Sequence, residues 1–257
     1  MISFDDLAFV RRIGQGGFSK TYLAELYIQA GSRSSSPPTT RYAEIMSADM
    51  SKRRSARTSG GKLVAVKVAS AEPDSLGQWR SEMAALTKLS HPNIVRYFGF
   101  VRTPPMHCLV LEYCEGGDLC ERMRKPTPPG FLFDVGIGVA SALAYLHERR
   151  LMHRDVKSGN VLLLSDGITP KLTDFGVATM LPDLTVTAHA HGSASRHLTA
   201  ETGTYRWMAP EVITHQPYSP WCHVACLPYS PWCHVSGDHA SAILLLRRRV
   251  LVRDGHL

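Results

Sequence analysis

The chain has 257 residues, of which 44% are apolar and 20% are charged, proportions that are usual for a globular protein. Its net charge is +7, but residues 27–61 carry +4 and residues 212–257 carry +2, so the charge does not form one broad basic surface. This distribution argues against a nucleic-acid partner. The lack of any run of about 18 apolar residues argues against a membrane span.

The N-terminal sequence has no basic segment followed by an apolar one, so a secretory signal is not predicted. The six cysteines form no repeating framework, which favours reduced thiols. We therefore expect a cytoplasmic protein with one large domain or two small ones.

Hydrophobic patterning predicts strands in the first part of the chain and mainly helices in the second. Apolar alternation predicts strands in four segments: residues 4–26, residues 62–70, NIVRYFGFV and HCLVLEY. Helical spacing of apolar residues occurs in residues 75–89 and again from about Phe131 to Glu148. This order predicts an α+β fold with a small sheet-rich lobe followed by a larger helical lobe.

Residues 27–61 interrupt the predicted strands with a segment rich in Ser, Thr, Pro, Gly and Arg. Such a composition cannot bury enough apolar surface to order the chain. We therefore interpret these residues as a long flexible insert in the first lobe.

Three features of the first lobe could serve a phosphate-binding site, although each also has a purely structural explanation. IGQGGFSKTY is rich in glycine, which lets a backbone approach phosphates closely but is also common in hairpin turns. Lys67 stands on the alternating strand VAVK, where a lysine is usually a solvated edge residue. Glu82 lies on the predicted helix, where a charge usually forms only surface pairs.

Two short segments of the second lobe contain the parts of a phosphoryl-transfer site. MHRDVKSGNVLL holds Asp155, Lys157 and Asn160, and KLTDFG adds Asp174. A carboxylate can accept the proton of an attacking hydroxyl, and a second carboxylate with an amide oxygen can hold Mg²⁺. A lysine supplies positive charge to a phosphate group.

The glycine-rich loop, VAVK, the helix glutamate, HRDVKSGN, DFG and APE follow one another in an order that resembles the protein kinase superfamily. The resemblance covers about residues 4–220, apart from the insert. It implies a bilobal protein-kinase-like fold with a five-stranded first lobe to about Tyr113. It also implies ATP and Mg²⁺ as cofactors.

The resemblance implies a role for each motif residue. The nucleotide would be bound by Gly14, Gly16, the backbone around Phe18, Ala65, Lys67, Glu112, Cys114 and Leu162, with Leu111 as the gatekeeper residue. Lys67 would pair with Glu82, Asp155 would orient and deprotonate the substrate hydroxyl, Lys157 would steady the transferred phosphoryl group, and Asn160 and Asp174 would hold Mg²⁺.

The substrate class follows from two further positions of the resemblance. Lys157 stands two residues after Asp155, and Thr204 precedes Tyr205 in GTYRWMAPE, as in kinases that act on serine and threonine. HRDVKSGN with GTYRWMAPEV is similar to the tyrosine-kinase-like branch, which includes Raf-like and mixed-lineage-like kinases. The expected function is therefore transfer of the γ-phosphoryl group of Mg-ATP to serine or threonine of protein substrates in signalling.

The loop between DFG and APE indicates regulation by an upstream activating kinase. Arg154, beside Asp155, would receive a phosphate group placed on this loop, because arginine forms charge-assisted bonds with phosphate. Thr199 and Thr202 are the preferred acceptors and Ser195 is a weaker one. The alternative is that these hydroxyls are ordinary loop residues.

The sequence departs from the family pattern at the third glycine of the loop, which is replaced by Ser19. Serine lacks the freedom of glycine at positive φ, so we expect the loop to cover ATP less well. The phrase PYSPWCHV occurs twice after APE, and no amphipathic helix series follows it. We therefore expect an incomplete second lobe.

The expected organisation has three parts: residues 1–113 as the first lobe with its insert, residues 114–220 as a partial second lobe, and residues 221–257 as an aberrant tail. A frameshift, a splicing variant or a faulty gene model would explain the tail. The alternative is a zinc site formed by residues among Cys222, His223, Cys226, Cys233, His234 and His239.

The sequence leaves two alternatives to an active kinase open. The chain could be a catalytically impaired, pseudokinase-like module that binds nucleotide without transferring phosphate. It could also fail to fold alone, because a half-built lobe exposes apolar surface.

Overall fold

The computed structural model describes residues 2–17, 19–27, 60–69, 73–103, 106–180 and Thr204. The expectations for most of the insert, for Phe18, for the candidate acceptors Thr199 and Thr202, and for the tail with its repeat and candidate zinc ligands lie outside the described residues. The chain divides into two compact units. Unit 1 comprises residues 1–90 and 95–113, and unit 2 comprises residues 91–94 and 114–257.

The described residues of unit 1 form a five-stranded antiparallel sheet and one α-helix. Its elements are β1 (Leu7–Gln15), β2 (Ser19–Leu26), β3 (Lys62–Ala69), α1 (Pro73–Leu86), β4 (Tyr97–Thr103) and β5 (Met106–Glu112). The strand order is β1-β2-β3-β5-β4, and every neighbouring pair is antiparallel. The predicted strands are confirmed, except that β4 begins at Tyr97 and does not include the first four residues of NIVRYFGFV.

The first residues of the predicted strand region differ from the expectation, because Phe4–Asp6 form a short 3-10 turn. The Ser3 side chain accepts a hydrogen bond from the Asp5 backbone N–H, and the Asp6 carboxylate accepts one from the Ser3 N–H at 3.0 Å. This reciprocal cap stabilises a helical turn where the alternating apolar pattern alone predicted a strand.

The sheet buries its main apolar core on one face. Val64, Val66 and Val68 of β3 lie on that face with the buried side chains of neighbouring strands. Because side chains alternate along a strand, Ala65 and Lys67 lie on the opposite face. The helix α1 contacts this second face, where Trp79 meets Phe100 and the His107 ring in edge-on contacts.

Unit 2 is built around a long helix. Its elements are α2 (Leu119–Arg122), α3 (Phe131–Glu148), β6 (Leu151–Met152), β7 (Val161–Leu163), β8 (Pro170–Leu172) and β9 (Thr179–Met180). The helix α3 buries residues at helical spacing, including Val135, Val139, Leu143 and Leu146. The helix predicted over these residues is therefore confirmed.

The helix α3 is long and apolar enough, by length and composition, to cross a membrane. The same test is passed by the core helix of a folded domain, and this helix contacts β6 and β8 through its buried side.

Two short antiparallel ribbons hold the loops of unit 2. The first pairs β6 with β9 and the second pairs β7 with β8. The Asn93 carbonyl accepts a hydrogen bond from the Leu172 N–H at 2.8 Å, and its side-chain amide donates to the Pro170 carbonyl at 3.0 Å. Residues 91–94 are thereby fixed to the strand that leads into KLTDFG.

Candidate active site

Lys67 and Glu82 form a close ion pair within unit 1. The Lys67 Nζ lies 2.9 Å from Oε1 and 2.7 Å from Oε2 of Glu82. The Glu82 side chain is 3% exposed and that of Lys67 is 18% exposed. The alternation of β3 directs Lys67 to the α1 face of the sheet, so neither residue has the solvated surface position that its type usually takes.

The glycine-rich segment forms the turn between β1 and β2. The Gly16 N–H donates to the Ser19 carbonyl at 2.8 Å, and Gly14 pairs with Thr21 across the two strands. Among the described residues, the non-glycine positions with positive φ are Arg150, Arg154 and Asp174. Ser19 is the first residue of β2 and pairs with Ala69 of β3.

The residues predicted to contact the adenine lie in both units, and each is described within its own unit. Ala65 and Leu111 are opposite each other in the β3–β5 register, and both are buried. The Glu112 N–H donates to the Arg96 carbonyl at 2.8 Å. In unit 2, Cys114 is buried and Leu162 of β7 is half-buried.

Asp155 is the centre of a hydrogen-bond cluster in unit 2. Its Oδ2 accepts from Lys157 Nζ at 2.7 Å and from Asn160 Nδ2 at 2.8 Å. Its Oδ1 accepts from the Thr204 hydroxyl at 2.8 Å, and Lys157 Nζ also donates to the Thr204 Oγ1 at 2.8 Å. These contacts fix the orientation of the carboxylate, and one of them comes from the distant segment GTYRWMAPE.

Asn160 presents its amide in a definite orientation. Its Nδ2 donates to both the backbone carbonyl and the Oδ2 of Asp155, each at 2.8 Å. The amide donor is thereby used, which leaves the amide Oδ1 as the atom suited to a cation. The Thr173 N–H donates to the Asn160 carbonyl at 3.0 Å, so the segment leading into Asp174 is hydrogen-bonded to the Asn160 turn.

Asp174 has a left-handed backbone, with a φ of 66°. A non-glycine residue holds this conformation only when its surroundings enforce it. The amide oxygen of Asn160 and the carboxylate of Asp174 are hard oxygen donors, which fit the preference of Mg²⁺. Within the described ranges, no group of three or more His, Cys, Asp or Glu side chains forms a candidate metal cluster.

His153 is fully buried between these segments. Its Nδ1 accepts from the Asp155 N–H at 3.3 Å, and its Nε2 lies 2.9 Å from the Thr173 carbonyl. This pattern requires a neutral ring with its hydrogen on Nε2. Burial lowers the pKa of His153, although the Thr173 carbonyl and the charges of Asp174 and Asp155 act in the opposite direction.

The His153 ring also contacts the edge of the buried Phe175 ring, with 4.7 Å between centroids. Arg154, which has a φ of 65°, donates from Nε to the Val177 carbonyl at 2.6 Å. HRD and DFG are therefore joined by several contacts. No role was predicted for His153, although its place next to Arg154 and Asp155 in the motif was a usable signal.

Comparison with known proteins identifies the family. Residues 49–227 match the profile of the protein kinase domain, which is more than half of the chain. The chain therefore belongs to the protein kinase family, and the predicted bilobal kinase fold is confirmed.

The relatives place the chain within the family. Serine/threonine-protein kinase STY46 of Arabidopsis thaliana is 37% identical over 165 residues, which cover 60% of this chain and 26% of that protein. Serine/threonine/tyrosine-protein kinase HT1 of Arabidopsis thaliana is 34% identical over 146 residues, or 55% of this chain and 34% of that protein. Mitogen-activated protein kinase kinase kinase 12 of Rattus norvegicus is 36% identical over 141 residues, which cover 54% of this chain and 14% of that protein.

The similarity to these kinases is consistent with membership of the tyrosine-kinase-like branch, so the predicted branch is confirmed. The chain spans no more than about a third of the length of each of these three relatives.

Proposed function

We propose that the chain is an ATP- and Mg²⁺-dependent protein kinase that phosphorylates serine and threonine. The observation that carries this proposal is the Asp155 carboxylate, which accepts three hydrogen bonds of 2.7 to 2.8 Å, one each from Lys157, Asn160 and Thr204. A fixed carboxylate of this kind suits the task of orienting a hydroxyl nucleophile.

The proposed reaction is an in-line transfer in which Asp155 orients the substrate hydroxyl and accepts its proton. A bond forms between the hydroxyl oxygen and the γ-phosphorus, and the bond from the γ-phosphorus to the β,γ-bridging oxygen breaks, so ADP leaves. Lys157 contributes positive charge to the phosphoryl group in transfer. Mg²⁺, when held by Asn160 and Asp174, would neutralise charge on the phosphates.

In unit 1, we assign the binding of the α- and β-phosphates to Lys67. Glu82 supports this assignment because it holds the Lys67 ammonium with both carboxylate oxygens. The Gly14–Gly17 turn is suited to a close approach of phosphate to backbone N–H groups. Ala65, Leu111, Glu112, Cys114 and Leu162 are proposed to contact the adenine.

The preference for serine and threonine rests on Thr204 and Lys157. Both residues contact the carboxylate of Asp155, the group proposed to receive the substrate hydroxyl. One relative is named a serine/threonine/tyrosine kinase, so tyrosine is the acceptor against which this preference must be tested.

The regulation and organisation of the chain are also proposals. Thr199 and Thr202 are proposed acceptors for an upstream kinase, with Arg154 as the receiving arginine. We further propose a cytoplasmic protein in which residues 1–113 and 114–220 act as two lobes and residues 221–257 are a tail without a catalytic role.

The test uses the full chain, Mg-ATP and a generic protein substrate such as myelin basic protein, followed by analysis of the phosphorylated amino acids. We expect phosphoserine and phosphothreonine, and their loss in Asp155→Asn. Phosphotyrosine as the main product would overturn the substrate preference. Folded protein that binds nucleotide but transfers no phosphate would favour a nucleotide-binding module instead.

A further inference from the structure

The connection between α2 and α3 contains an exposed threonine between two prolines. Residues 123–130 are all exposed, and Thr127 lies between Pro126 and Pro128 in a stretch without regular secondary structure. Proline restricts its own φ, and a residue that precedes proline is confined mainly to extended conformations. The three residues therefore present an extended segment at the surface of unit 2.

Hydrogen bonds on both sides of Thr127 hold this segment in place. The Arg122 Nη1 donates to the Pro126 carbonyl at 3.0 Å. The Phe131 N–H donates to the Pro128 carbonyl at 3.2 Å, at the point where α3 begins. The threonine is thus displayed between two fixed carbonyl groups.

Thr169 and Pro170 form the same dipeptide in different surroundings. Pro170 is buried and pairs with Leu163 in the β7–β8 ribbon. The Thr169 N–H and hydroxyl both donate to the Asp166 carboxylate. The structure therefore distinguishes two Thr-Pro dipeptides that the sequence alone presents as equivalent: one is fixed within a hairpin, and the other is exposed.

The surroundings of Thr127 are basic. Residues 122–130 contain two arginines and one lysine, and no acidic residue. Because the peptide group is planar, its oxygen lies about 2.8 Å from the next Cα, so Arg122 Nη1 is within about 6 Å of the Thr127 Cα. The Arg122 guanidinium also lies over the Phe131 ring, with 4.9 Å from Cζ to the centroid. Arg122 is therefore a positioned cation within reach of a phosphate group on Thr127.

The beginning of α3 adds a second favourable interaction for a negative charge. Gly130, three residues after Thr127, caps this helix without a side-chain hydrogen bond. The N-terminal end of a helix carries partial positive charge, and a phosphothreonine is strongly negative at neutral pH. A phosphate group on Thr127 would thus meet positive potential from both Arg122 and the helix end.

We propose that Thr127 is a phosphorylation site for another protein kinase, one that selects proline after its acceptor, and that Arg122 binds the resulting phosphate. The Thr127 hydroxyl oxygen forms a bond to the γ-phosphorus of ATP, the bond to the β,γ-bridging oxygen breaks, and ADP leaves. The hydroxyl proton passes to the catalytic base of that kinase. The phosphate then joins the end of α2 to the start of α3 through Arg122.

The residue after the acceptor indicates the class of the modifying enzyme. Pro128 offers a rigid ring and no N–H, which suits a kinase with an apolar pocket at this position. The basic residues before Thr127 would suit a kinase with an acidic surface, so both kinds of kinase are compared in the test. This site is independent of the proposed catalytic activity of the chain.

The test uses the full chain with Asp174→Asn, so that phosphate does not come from the chain itself. The protein is incubated with ATP and either a purified mitogen-activated protein kinase, which is proline-directed, or a purified kinase that prefers arginine before its acceptor. Mass spectrometry then identifies the modified residues. Thr127→Val removes the acceptor, and Pro128→Ala keeps the hydroxyl but removes the proline.

We expect the proline-directed kinase to modify Thr127 at least about tenfold faster than Thr169, because Thr169 is reached only after local opening. The preference should disappear after heat denaturation, and Pro128→Ala should prevent modification of Thr127. Equal rates at the two threonines of the native chain would overturn the site, as they would for a chain that does not fold. Modification of Thr127 by the arginine-directed kinase alone, or an unchanged rate in Pro128→Ala, would also overturn it.

The role of Arg122 is tested by thermal unfolding of the phosphorylated and unphosphorylated forms of each variant. We expect phosphorylation to raise Tm by about 2 to 4 °C, and we expect Arg122→Gln to abolish this rise. Arg149→Gln is the matched control, because the Arg149 side chain is 47% exposed at the other end of α3. An absent rise, or one that persists in Arg122→Gln, would contradict phosphate binding by Arg122. None of these results depends on phosphate transfer by the chain, so a failure of the proposed function would be seen separately.

Discussion

Thr204 donates its hydroxyl hydrogen to Oδ1 of Asp155 at 2.8 Å, and this contact joins two segments that are 49 residues apart in sequence. Lys157 Nζ reaches both partners, at 2.7 Å to Asp155 Oδ2 and at 2.8 Å to Thr204 Oγ1. The three side chains therefore form a closed triangle of hydrogen bonds. Its consequence is that the orientation of Asp155 depends on a residue outside the HRDVKSGN motif.

Removing the Thr204 hydroxyl is expected to lower kcat without unfolding the protein. Thr204→Val keeps the shape of the side chain but leaves one oxygen of Asp155 without this donor. A hydrogen bond to a charged group contributes about 1.5–3 kcal/mol, so we expect a loss of about ten- to hundredfold in kcat. Thr204→Ser keeps the donor and should retain most of the activity. Equal activity of the valine and serine variants would contradict the proposed role.

Breaking the Lys67–Glu82 pair is expected to weaken nucleotide use. Glu82→Gln preserves the side-chain volume but removes the negative charge that holds the Lys67 ammonium. We expect kcat/KM for ATP to fall by about tenfold or more. Glu148→Gln is the control, because the Glu148 side chain is 75% exposed. A loss of the same size in the control would show that the effect does not come from this pair.

Burial of His153 is expected to make folding stability depend on pH. Burial lowers the pKa of His153 from its usual value of 6.5, so the unfolded chain binds more protons than the folded chain below about pH 6.5. The free energy of unfolding should therefore be greatest above this pH and should fall as the pH drops through 6.5 towards the lowered pKa. Chemical denaturation at several pH values between 5.5 and 7.5 measures this slope.

The variant His153→Gln should show a smaller slope, because it lacks the titrating ring. His147 contributes in the same direction, since burial also lowers the pKa of His147. His147→Gln therefore serves as the comparison variant, and the double variant should have the smallest slope of the three. An unchanged pH dependence in the double variant would contradict this explanation.

The insert is expected to be dispensable for the fold of unit 1. The β2–β3 pairing runs from Ser19 opposite Ala69 to Leu26 opposite Lys62, so the strands remain paired on both sides of the insert. Replacing residues 28–59 by a four-residue turn shortens the loop eightfold. Each halving removes about 0.6 kcal/mol of loop-closure entropy, so the free energy of unfolding should rise by about 2 kcal/mol. A destabilised or unfolded variant would show that the insert contributes contacts to the fold.

The strands and the long helix were predictable because the spacing of apolar residues in the sequence matches the side chains that are buried in the structure. VAVK alternates on a sheet whose two faces differ, and α3 buries one face at helical spacing. The turn at Phe4–Asp6 was missed because the cap of Ser3 and Asp6 competes with a pattern that is also typical of a strand.

The site was predictable as a set of motifs but not as a geometry. The sequence indicates that Asp155, Lys157 and Asn160 are neighbours, but it does not show which oxygen of Asp155 each one contacts. Contacts between segments distant in sequence, such as Thr204 with Asp155, require the folded chain.

Transfer of phosphate from Mg-ATP by this chain is tested most directly by the incorporation of radiolabelled phosphate into the chain itself. The purified full chain is compared with Asp174→Asn, which removes the proposed carboxylate ligand of Mg²⁺. We expect incorporation that requires Mg²⁺ and disappears in the variant. A folded chain that is stabilised by nucleotide but incorporates no phosphate would contradict it.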